Sequence, residues 1–384
     1  MSKLLTVFLI GAAIGVGIPN LRGERSSAVA QSTTAVTMRA VSAANAFLTS
    51  LEPNQKGHAS YAYTDPIKSK WNNLPPQMAD RAGIRLADLT PSQRQAAETV
   101  IGAVLSAYGE QKVRSIMAAD QYLGEEMGAG FPTGPGAYML AVFGTPSTTT
   151  PWEVQLNGHH LGVNVTFIGA THVLAPTLTA AYPNMYTTKD NNKVVVLADE
   201  ADRALKLIQA LDGTQQAHAI QQAPIWDLVL GPGHDNHPDI APEGLKGSEM
   251  TAAQRQMVLD VAAAWINIID EQTAAAKLAE VRRNLDRTYF LWSGDTTTSG
   301  NAYFRVQGPT IWIEYSPQTL GGPGSATGRR RGGDRGAAPA PGDRGRGNFE
   351  AATNPATRRL DPVHVHTIYR DFTNDYGKAS ARPF

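Results

Sequence analysis

Apolar residues recur at helical spacing in several parts of the chain and predict amphipathic helices there. The stretches are residues 34–51, 91–108, 110–123 and 198–211, with a further pair of helices within 251–285. The second stretch follows Leu-Thr-Pro, where Thr90 suits the helix N-cap and Pro91 suits the first helical turn. Each of these helices needs a surface against which to bury its apolar face.

Shorter runs of alternating or continuous apolar character predict β-strands, and loops rich in Gly and Pro separate them. The runs are AYMLAVFG (137–144), the hairpin-like WEVQLNGHHLGVNVTF (152–167), TYFLWSG (288–294), YFRVQGPTIWIEYSP (303–317) and DPVHVHTIYRD (361–371). Helices and strands are therefore both expected, in segregated rather than strictly alternating order.

The order helix–helix–strand–strand occurs twice along the chain. The second helical pair begins with TAAQRQ, which resembles TPSQRQ at the start of the first pair. The number of residues from Gly144 to Gly158 is also the same as from Gly294 to Gly308. We therefore predict an internal duplication, with the two copies packed about a pseudo-twofold axis.

The predicted fold class is α+β, with two related halves whose strands form a mainly antiparallel sheet and whose helices pack outside it. The predicted organisation is a signal peptide at 1–30, an N-terminal helix and extended lead-in at 31–88, a first repeat half at 89–249, and a second at 250–384 that contains a disordered Gly/Arg/Pro-rich insert at 321–348.

The N-terminal segment has the pattern of a secretory signal peptide. Lys3 precedes an uncharged apolar run over residues 4–18, and Ala-Val-Ala ending at Ala30 fits the rule for the cleavage site. The run is shorter than the ~20 residues of a membrane-spanning helix. We therefore expect cleavage after Ala30, a secreted or periplasmic protein, and no membrane span after cleavage.

Composition narrows the functional classes. The chain has 384 residues with 34 basic and 34 acidic side chains, so no global charge directs it to nucleic acid. It has no Cys, which excludes disulfides and thiolate chemistry. No GxSxG, Walker, GxGxxG or HExxH sequence supports a serine hydrolase, a nucleotide-binding protein or a zincin. The expected partner is a small molecule, and the oligomeric state is left open.

Four of the nine histidines lie in two of the predicted strand segments. Alternate strand residues face one side, so His364 and His366 share a face, which suits chelation of one metal ion. By the same rule His160 lies opposite the apolar side chains of its strand, whereas His159 falls on the apolar side. Aligning the two halves on their glycines makes Asn164 correspond to Glu314, the one carboxylate in an otherwise apolar strand.

Two or three imidazoles with a carboxylate form the ligand set of catalytic zinc and non-haem iron sites, and histidine-rich sets suit copper. We therefore predict that a divalent transition metal (zinc, copper or iron) binds to four residues, His160, His364, His366 and Glu314. Glu314 and His160 are the predicted catalytic groups. The residues expected to orient the ligands are His159, Asn164, Arg370, Asp371 and Asp375. The alternative, in which the histidines bind buried backbone groups or line a pocket without metal, stays open.

These blocks resemble an uncharacterised family, domain of unknown function 3500. The resemblance extends from about Trp71 to Gly377 and is carried by a GHHL block, a QGPTxxIEY block and a late HxH block followed by Arg-Asp and Asp-Tyr-Gly. The matching residues are His159, His160, Glu314, His364, His366, Arg370, Asp371 and Asp375. This chain differs from the family pattern in the insert before the HxH strand and in Val363, which replaces a polar residue. The resemblance implies no activity.

Three functions remain open from the sequence. The first is a metal-dependent enzyme, a hydrolase or an oxidoreductase, that acts on a small molecule. The second is a non-catalytic extracellular or periplasmic binding protein that uses the same polar pocket without metal. The third is metal-free acid–base hydrolysis by Glu314 with a histidine, which needs a buried Glu314 with a raised pKa. Whether the protein is an enzyme is left undecided.

Overall fold

The helices begin at caps that the sequence supplies. In the computed structural model, which describes residues 32–221, 225, 227–235, 240–319 and 360–378, the Thr90 hydroxyl accepts a hydrogen bond from the Gln93 N–H at 3.3 Å. Thr251 caps its helix in the same way through Gln254, and Ser106 caps the helix between them. The predicted N-cap at Thr90 is confirmed.

Eight α-helices occur among the described residues. They are α1 (Thr33–Ser50), α2 (Pro53–Ala59), α3 (Pro91–Val104), α4 (Ala107–Met127), α5 (Ala198–Gln209), α6 (Gly213–Ala219), α7 (Ala252–Ile266) and α8 (Glu271–Arg283). The helix predicted at residues 110–123 is longer at both ends because Ser106 caps its start and Gly128, with a φ of 70°, ends it.

Thirteen β-strands occur in the same part of the chain. They are β1 (Ser60–Tyr61), β2 (Ile84–Arg85), β3 (Met139–Phe143), β4 (Trp152–Gly158), β5 (Leu161–Ile168), β6 (Thr171–Thr179), β7 (Met185–Thr187), β8 (Lys193–Val195), β9 (Leu245–Lys246), β10 (Tyr289–Gly294), β11 (Ala302–Gln307), β12 (Trp312–Thr319) and β13 (Leu360–Arg370). The sequence analysis missed β6, because Pro176 within it argues against a strand. This proline lies where the pairing of β5 with β6 shifts register.

Eleven strands form one sheet in the order β1-β3-β4-β5-β6-β13-β12-β11-β10-β9, with β2 also paired to β3. Every pair is antiparallel except β1 with β3. The α+β class with a mainly antiparallel sheet is therefore confirmed. The internal duplication and the proposed domain boundaries stay predictions.

The two faces of the sheet differ in chemistry. One face buries aliphatic and aromatic side chains against α1, α3, α4, α5 and α7 in the main core. The other face combines many polar side chains with two smaller apolar clusters, and loops cover it. There the Gln155 amide donates to the carbonyl of Lys68 at 2.9 Å, and the Arg305 guanidinium donates to Glu243 at 2.9 Å. Strand alternation thus places polar side chains on this buried face, where those of Gln155 and Arg305 form hydrogen bonds with the covering loops.

The predicted signal peptide and the insert at 321–348 lie outside the described residues. Within the described ranges, no helix combines the length and the apolar character that a membrane span requires.

Candidate metal centre

The GHHLG sequence forms the tight turn between β4 and β5. Gly158 pairs with Leu161, which leaves His159 and His160 as the two turn residues. His160 has a φ of 64°, a left-handed conformation that non-glycine residues rarely adopt. The turn is fixed from outside, because the Tyr138 hydroxyl donates to the His159 carbonyl at 2.8 Å. His160 is therefore a turn residue and not a strand residue as predicted, and strand alternation does not set its direction.

The two glycines of this sequence let aromatic rings approach the turn. A Cβ on Gly158 would lie 2.5 Å from the ring of Tyr138, and a Cβ on Gly162 would lie 2.5 Å from the ring of Trp71. Neither distance is compatible with a side chain, so both positions need glycine. The rings in turn hold the hairpin against its neighbours.

The turn lies near the HxH strand, β13, because β5 pairs with β6 and β6 pairs with β13. The His160 carbonyl accepts a hydrogen bond from the Ala180 N–H at 2.9 Å, and the next residue, Ala181, bridges to Val365. Val365 lies between the two histidines of β13, which project to the same side as predicted. Distant parts of the chain thus deliver three imidazoles to one point.

The three imidazoles converge through their Nε2 atoms. His160 Nε2 lies 3.0 Å from His364 Nε2, which lies 3.1 Å from His366 Nε2. One nitrogen from each ring lies within 4.8 Å of the others, and all three residues are buried. Tetrahedral zinc with nitrogens at ~2.0–2.1 Å would set its ligands about 3.3 Å apart. This buried triad could hold a metal ion.

Hydrogen bonding within the triad cannot satisfy both close contacts. The Nε2 atom of His364 offers either one hydrogen or one lone pair, yet it faces two other ring nitrogens. One of the two contacts is therefore left without a good linear hydrogen bond. The Nδ1 atom of His160 is also buried without a partner among the described residues. A cation surrounded by three lone pairs would resolve the crowding of the Nε2 atoms.

The surroundings favour the neutral form of the His160 and His364 rings. Burial, followed by the charges of His366 and His159, lowers the pKa of His364 to about 2. Burial and the neighbouring imidazoles also hold the pKa of His160 well below its ordinary value. Neutral imidazole is the form that binds metal ions, so protons do not compete for these nitrogens near neutral pH.

Asp227 orients the third imidazole. Its Oδ1 atom lies 3.1 Å from His366 Nδ1, so the carboxylate accepts the Nδ1 proton and the Nε2 atom faces the triad. The Asn73 amide nitrogen lies 3.4 Å from that Nε2. Sequence analysis missed both residues, since each lies in a loop far from the histidine blocks.

A second carboxylate–histidine pair lies beside the triad. His159 Nδ1 lies 2.6 Å from Asp120 Oδ1, and the other oxygen of Asp120 accepts from the Gly134 N–H at 2.7 Å. The rings of His159 and His160 contact each other at a tilt of 31°, with centroids 3.9 Å apart. His159 thus borders the centre, as the sequence analysis expected, but its partner Asp120 comes from α4 and was not identified.

Glu314 does not join the three imidazoles. Its carboxylate accepts four hydrogen bonds, which come from the backbone N–H groups of Val229 (2.8 Å) and Leu230 (2.9 Å), the hydroxyl of Tyr303 (2.7 Å) and the indole of Trp312 (2.6 Å). Burial raises its pKa, although these four donors act in the opposite direction. With both oxygens occupied, Glu314 holds the loop at residues 228–231, which follows directly on Asp227.

Arg370 binds the same loop from the other side. Its guanidinium donates to the carbonyls of Leu230 (2.7 Å) and Gly231 (2.9 Å) and to the carboxylates of Asp235 and Asp375 (2.9 Å each). Glu314 and Arg370 therefore reach the triad only indirectly, by fixing the loop that begins at Asp227.

Two residues that were expected to orient the ligands point elsewhere. Asp371 accepts from Lys277 at 2.7 Å. The Asn164 side chain donates to the Pro176 carbonyl at 2.6 Å and accepts from Gln155 at 2.7 Å. Strand alternation placed Asn164 on the polar face, but the triad lies beyond the end of its strand.

A cavity of about 820 Å³ opens onto the triad. Its floor consists of imidazole rings, among them His159, and the ring of Tyr182 packs on His364 with centroids 4.7 Å apart. The walls come from the loop at 73–78, the end of α4 and the loop at 128–131. The volume is within the usual range for small-molecule sites.

A comparison with known proteins supports the family resemblance that the sequence blocks indicate. A family model described as a protein of unknown function (DUF3500) matches residues 33–378. The chain belongs to this family. The resemblance predicted from the sequence is therefore confirmed, and the DUF3500 match includes all three histidines of the triad. No curated protein and no solved structure matches the chain.

Proposed function

We propose that His160, His364 and His366 hold a divalent transition metal at the floor of the cavity, and that the protein is a metal-dependent enzyme acting on a small molecule bound there. The convergence of three buried Nε2 atoms carries this proposal. The cavity leaves room for a substrate on the open side of the triad. Glu314 is not part of the proposed ligand set.

The donor set favours zinc or copper. Three histidines with an open fourth position form one of the common catalytic zinc arrangements, and imidazole also suits copper. The two-histidine, one-carboxylate iron arrangement lacks its carboxylate, because Glu314 is held elsewhere. A bound metal with a vacant position would polarise a substrate oxygen or lower the pKa of bound water toward ~7.

The protein's own residues would prepare this chemistry. Asp227 holds the proton of His366 on Nδ1, so that Nε2 is free to bind. Burial keeps His160 and His364 neutral. The apolar walls of the cavity lower the polarity around the floor, which would strengthen electrostatic interactions there.

Metal content tests the proposal. The purified mature protein, reconstituted with Zn²⁺, Cu²⁺ or Fe²⁺ and desalted, is expected to hold one metal per chain by mass spectrometry. The His364→Ala/His366→Ala variant should hold none. A matched control, His58→Ala/His218→Ala, removes two exposed histidines and should bind like the wild type. A wild-type chain that retains no stoichiometric metal would refute the metal site.

The cavity itself supports a second candidate, a non-catalytic small-molecule-binding protein. Its lining includes no Asp, Glu, Lys or Arg among the described residues, so the pocket could bind a neutral ligand without metal. Ligand binding that survives in the His364→Ala/His366→Ala variant would favour this function over the enzyme.

We also propose that the protein is exported, which the signal-peptide pattern of residues 1–30 supports. N-terminal sequencing of the protein from the exported fraction should give Gln31 as the first residue. An intact N-terminus in that fraction would overturn cleavage after Ala30, and absence of the protein from that fraction would overturn export.

We infer further that the chain contains an internal duplication. Two features support it. First, β6 and β13 meet at the centre of the sheet, and the strands follow outward as β5-β4-β3 on one side and as β12-β11-β10 on the other. Second, both halves carry a Thr/Gln capping box. Superposition of residues 84–168 on 245–319 should place Gly158 on Gly308 and Asn164 on Glu314. A different correspondence would overturn the inference.

A further inference from the structure

We infer that the cavity above the triad takes an uncharged, largely apolar small molecule that presents a single coordinating or hydrogen-bonding atom to the imidazoles. This inference rests on the proposed function, because the polar end of the ligand is assigned to the metal centre. It adds the substrate class, which the triad alone does not define.

The polar and apolar parts of the cavity are segregated. The polar groups gather at one end, where the three imidazoles lie with His159 and the amide of Asn73. The rest of the lining is apolar or backbone, and consists of Leu74, Pro75, Met78, Leu123, Met127, Gly128, Ala129, Gly130 and Phe131, with Tyr182 beside His364. A ligand that matches this surface has an apolar body and one polar end.

Exposed apolar side chains concentrate at the mouth of the cavity. Among the described residues, six large hydrophobic side chains are exposed, and three of these, Leu74, Met78 and Met127, line the cavity. Met78 is 63% exposed, so core packing does not explain it. Apolar residues grouped at the rim of a cleft are typical of ligand-binding surfaces.

Charge argues against ionic ligands. Among the described residues, the lining contains no Lys or Arg to pair with a phosphate or carboxylate, and no Asp or Glu to pair with an ammonium group. The two nearby carboxylates are already engaged, Asp120 by His159 and the Gly134 N–H, and Asp227 by His366 and the Leu228 N–H. A charged group on the ligand body would be desolvated against apolar walls without a partner.

The cavity is preformed rather than assembled from independent loops. Asp120 connects the floor of the cavity to one wall. One of its carboxylate oxygens binds the imidazole of His159, and the other accepts from the backbone N–H of Gly134, just beyond the apolar loop at 128–131. The Phe131 ring meets the edge of the His159 ring at 5.0 Å. The distance between the apolar wall and the polar end is thereby set, which selects for ligand length as well as polarity.

Four probe molecules separate the contribution of the ligand's polar end, its head, from that of its apolar part, its body. Imidazole supplies a coordinating head alone, 4-phenylimidazole adds an apolar body, 4-(imidazol-4-yl)benzoate adds a charged body, and N-phenyl-1-naphthylamine is an uncharged apolar fluorophore that does not depend on metal coordination. Calorimetry with the zinc-loaded chain measures the first three, and fluorescence measures the fourth with and without zinc.

The apolar wall should favour the phenyl compound. Burial of one phenyl group predicts that 4-phenylimidazole binds roughly tenfold to a hundredfold tighter than imidazole. The benzoate should lose most of that gain. The variant Met78→Ser/Met127→Ser should reduce the preference for phenyl while its affinity for imidazole and its zinc content stay unchanged. The matched control is Met38→Ser/Met185→Ser, which alters two exposed methionines outside the cavity lining and should keep the preference.

The outcomes separate this inference from the metal proposal. If the chain binds no zinc but binds N-phenyl-1-naphthylamine, and the cavity variant weakens that binding, the metal proposal fails and the apolar substrate class stands. If zinc binds but imidazole, 4-phenylimidazole and the benzoate bind equally well, the inference is overturned while the metal site stands. Equal loss of preference in the cavity variant and the control would also overturn it.

Discussion

The four hydrogen bonds to Glu314 make its replacement by Gln the most direct test of the arrangement that fixes Asp227. In the wild type each carboxylate oxygen accepts from two donors, and the side chain is fully buried. A Gln side chain has the same shape but replaces one accepting oxygen with an NH₂ donor. Two of the four donors then face another donor.

The expected loss of stability depends on which of the four donors can also accept a hydrogen bond. The amide should turn its NH₂ toward Tyr303, because a hydroxyl oxygen can accept as well as donate. The Val229 N–H, on the same side, is then left without a partner. One buried orphan donor costs about 1–3 kcal/mol, and the remaining bonds lose their charge-assisted strength, so Glu314→Gln should lower the free energy of unfolding by roughly 2–4 kcal/mol.

Urea unfolding at neutral pH measures this loss. Tryptophan fluorescence and circular dichroism should be recorded together, because coincident transitions are needed to assign a free energy. Tyr303→Phe is the control: it removes one donor but keeps the carboxylate, and its loss should be smaller. Hydrogen exchange at Val229 and Leu230 should accelerate in Glu314→Gln. A change in unfolding free energy below about 1 kcal/mol, with unchanged exchange, would refute this account of Glu314.

Three further predictions concern a group that orients a ligand, a buried carboxyl group and a helix cap. Asp227→Ala should weaken metal binding about tenfold, as measured by chelator competition. We expect a loss at the low end of those seen for groups that orient a metal ligand such as His366, because the Asp227 side chain is 54% exposed. Burial, partly offset by Lys68, raises the pKa of Glu153 from 4.5 to about 7. The folded state therefore holds a proton that the unfolded state releases, so the unfolding free energy should fall by roughly 3 kcal/mol as pH rises across that interval. Glu153→Gln should remove this slope in urea unfolding. Thr90→Ala should cost about 1 kcal/mol of stability by the same assay.

Each of these has a contrary result. Unchanged metal affinity in Asp227→Ala would mean that Asp227 does not orient His366. An equal pH slope in the wild type and in Glu153→Gln would assign the slope to other groups. A Thr90→Ala chain as stable as the wild type would show that the helix does not depend on this cap, and Thr251→Ala, at the cap of α7, provides the comparison.

The local pattern of the sequence predicted much of the fold. Period-two alternation in VHVHTIY places His364 and His366 on one side of β13 whatever surrounds the strand, because alternation is a property of the extended backbone. The cap at Thr90 was predictable for the same kind of reason, since its partner lies three residues away. The family blocks were also visible in the sequence, and they include every histidine of the triad.

The tertiary structure alone decided which residues meet at the site. His160 turns toward His364 because its φ is positive and because β6 pairs with β13, and neither feature follows from a local pattern. Asp120 and Asp227 come from a helix and a loop with no motif of their own. Glu314 satisfied the same alternation rule as the histidines, yet two backbone N–H groups of a covering loop occupy its carboxylate. Sequence periodicity determines the face on which a side chain lies, but long-range packing determines its partners, because those partners are brought near it only by folding.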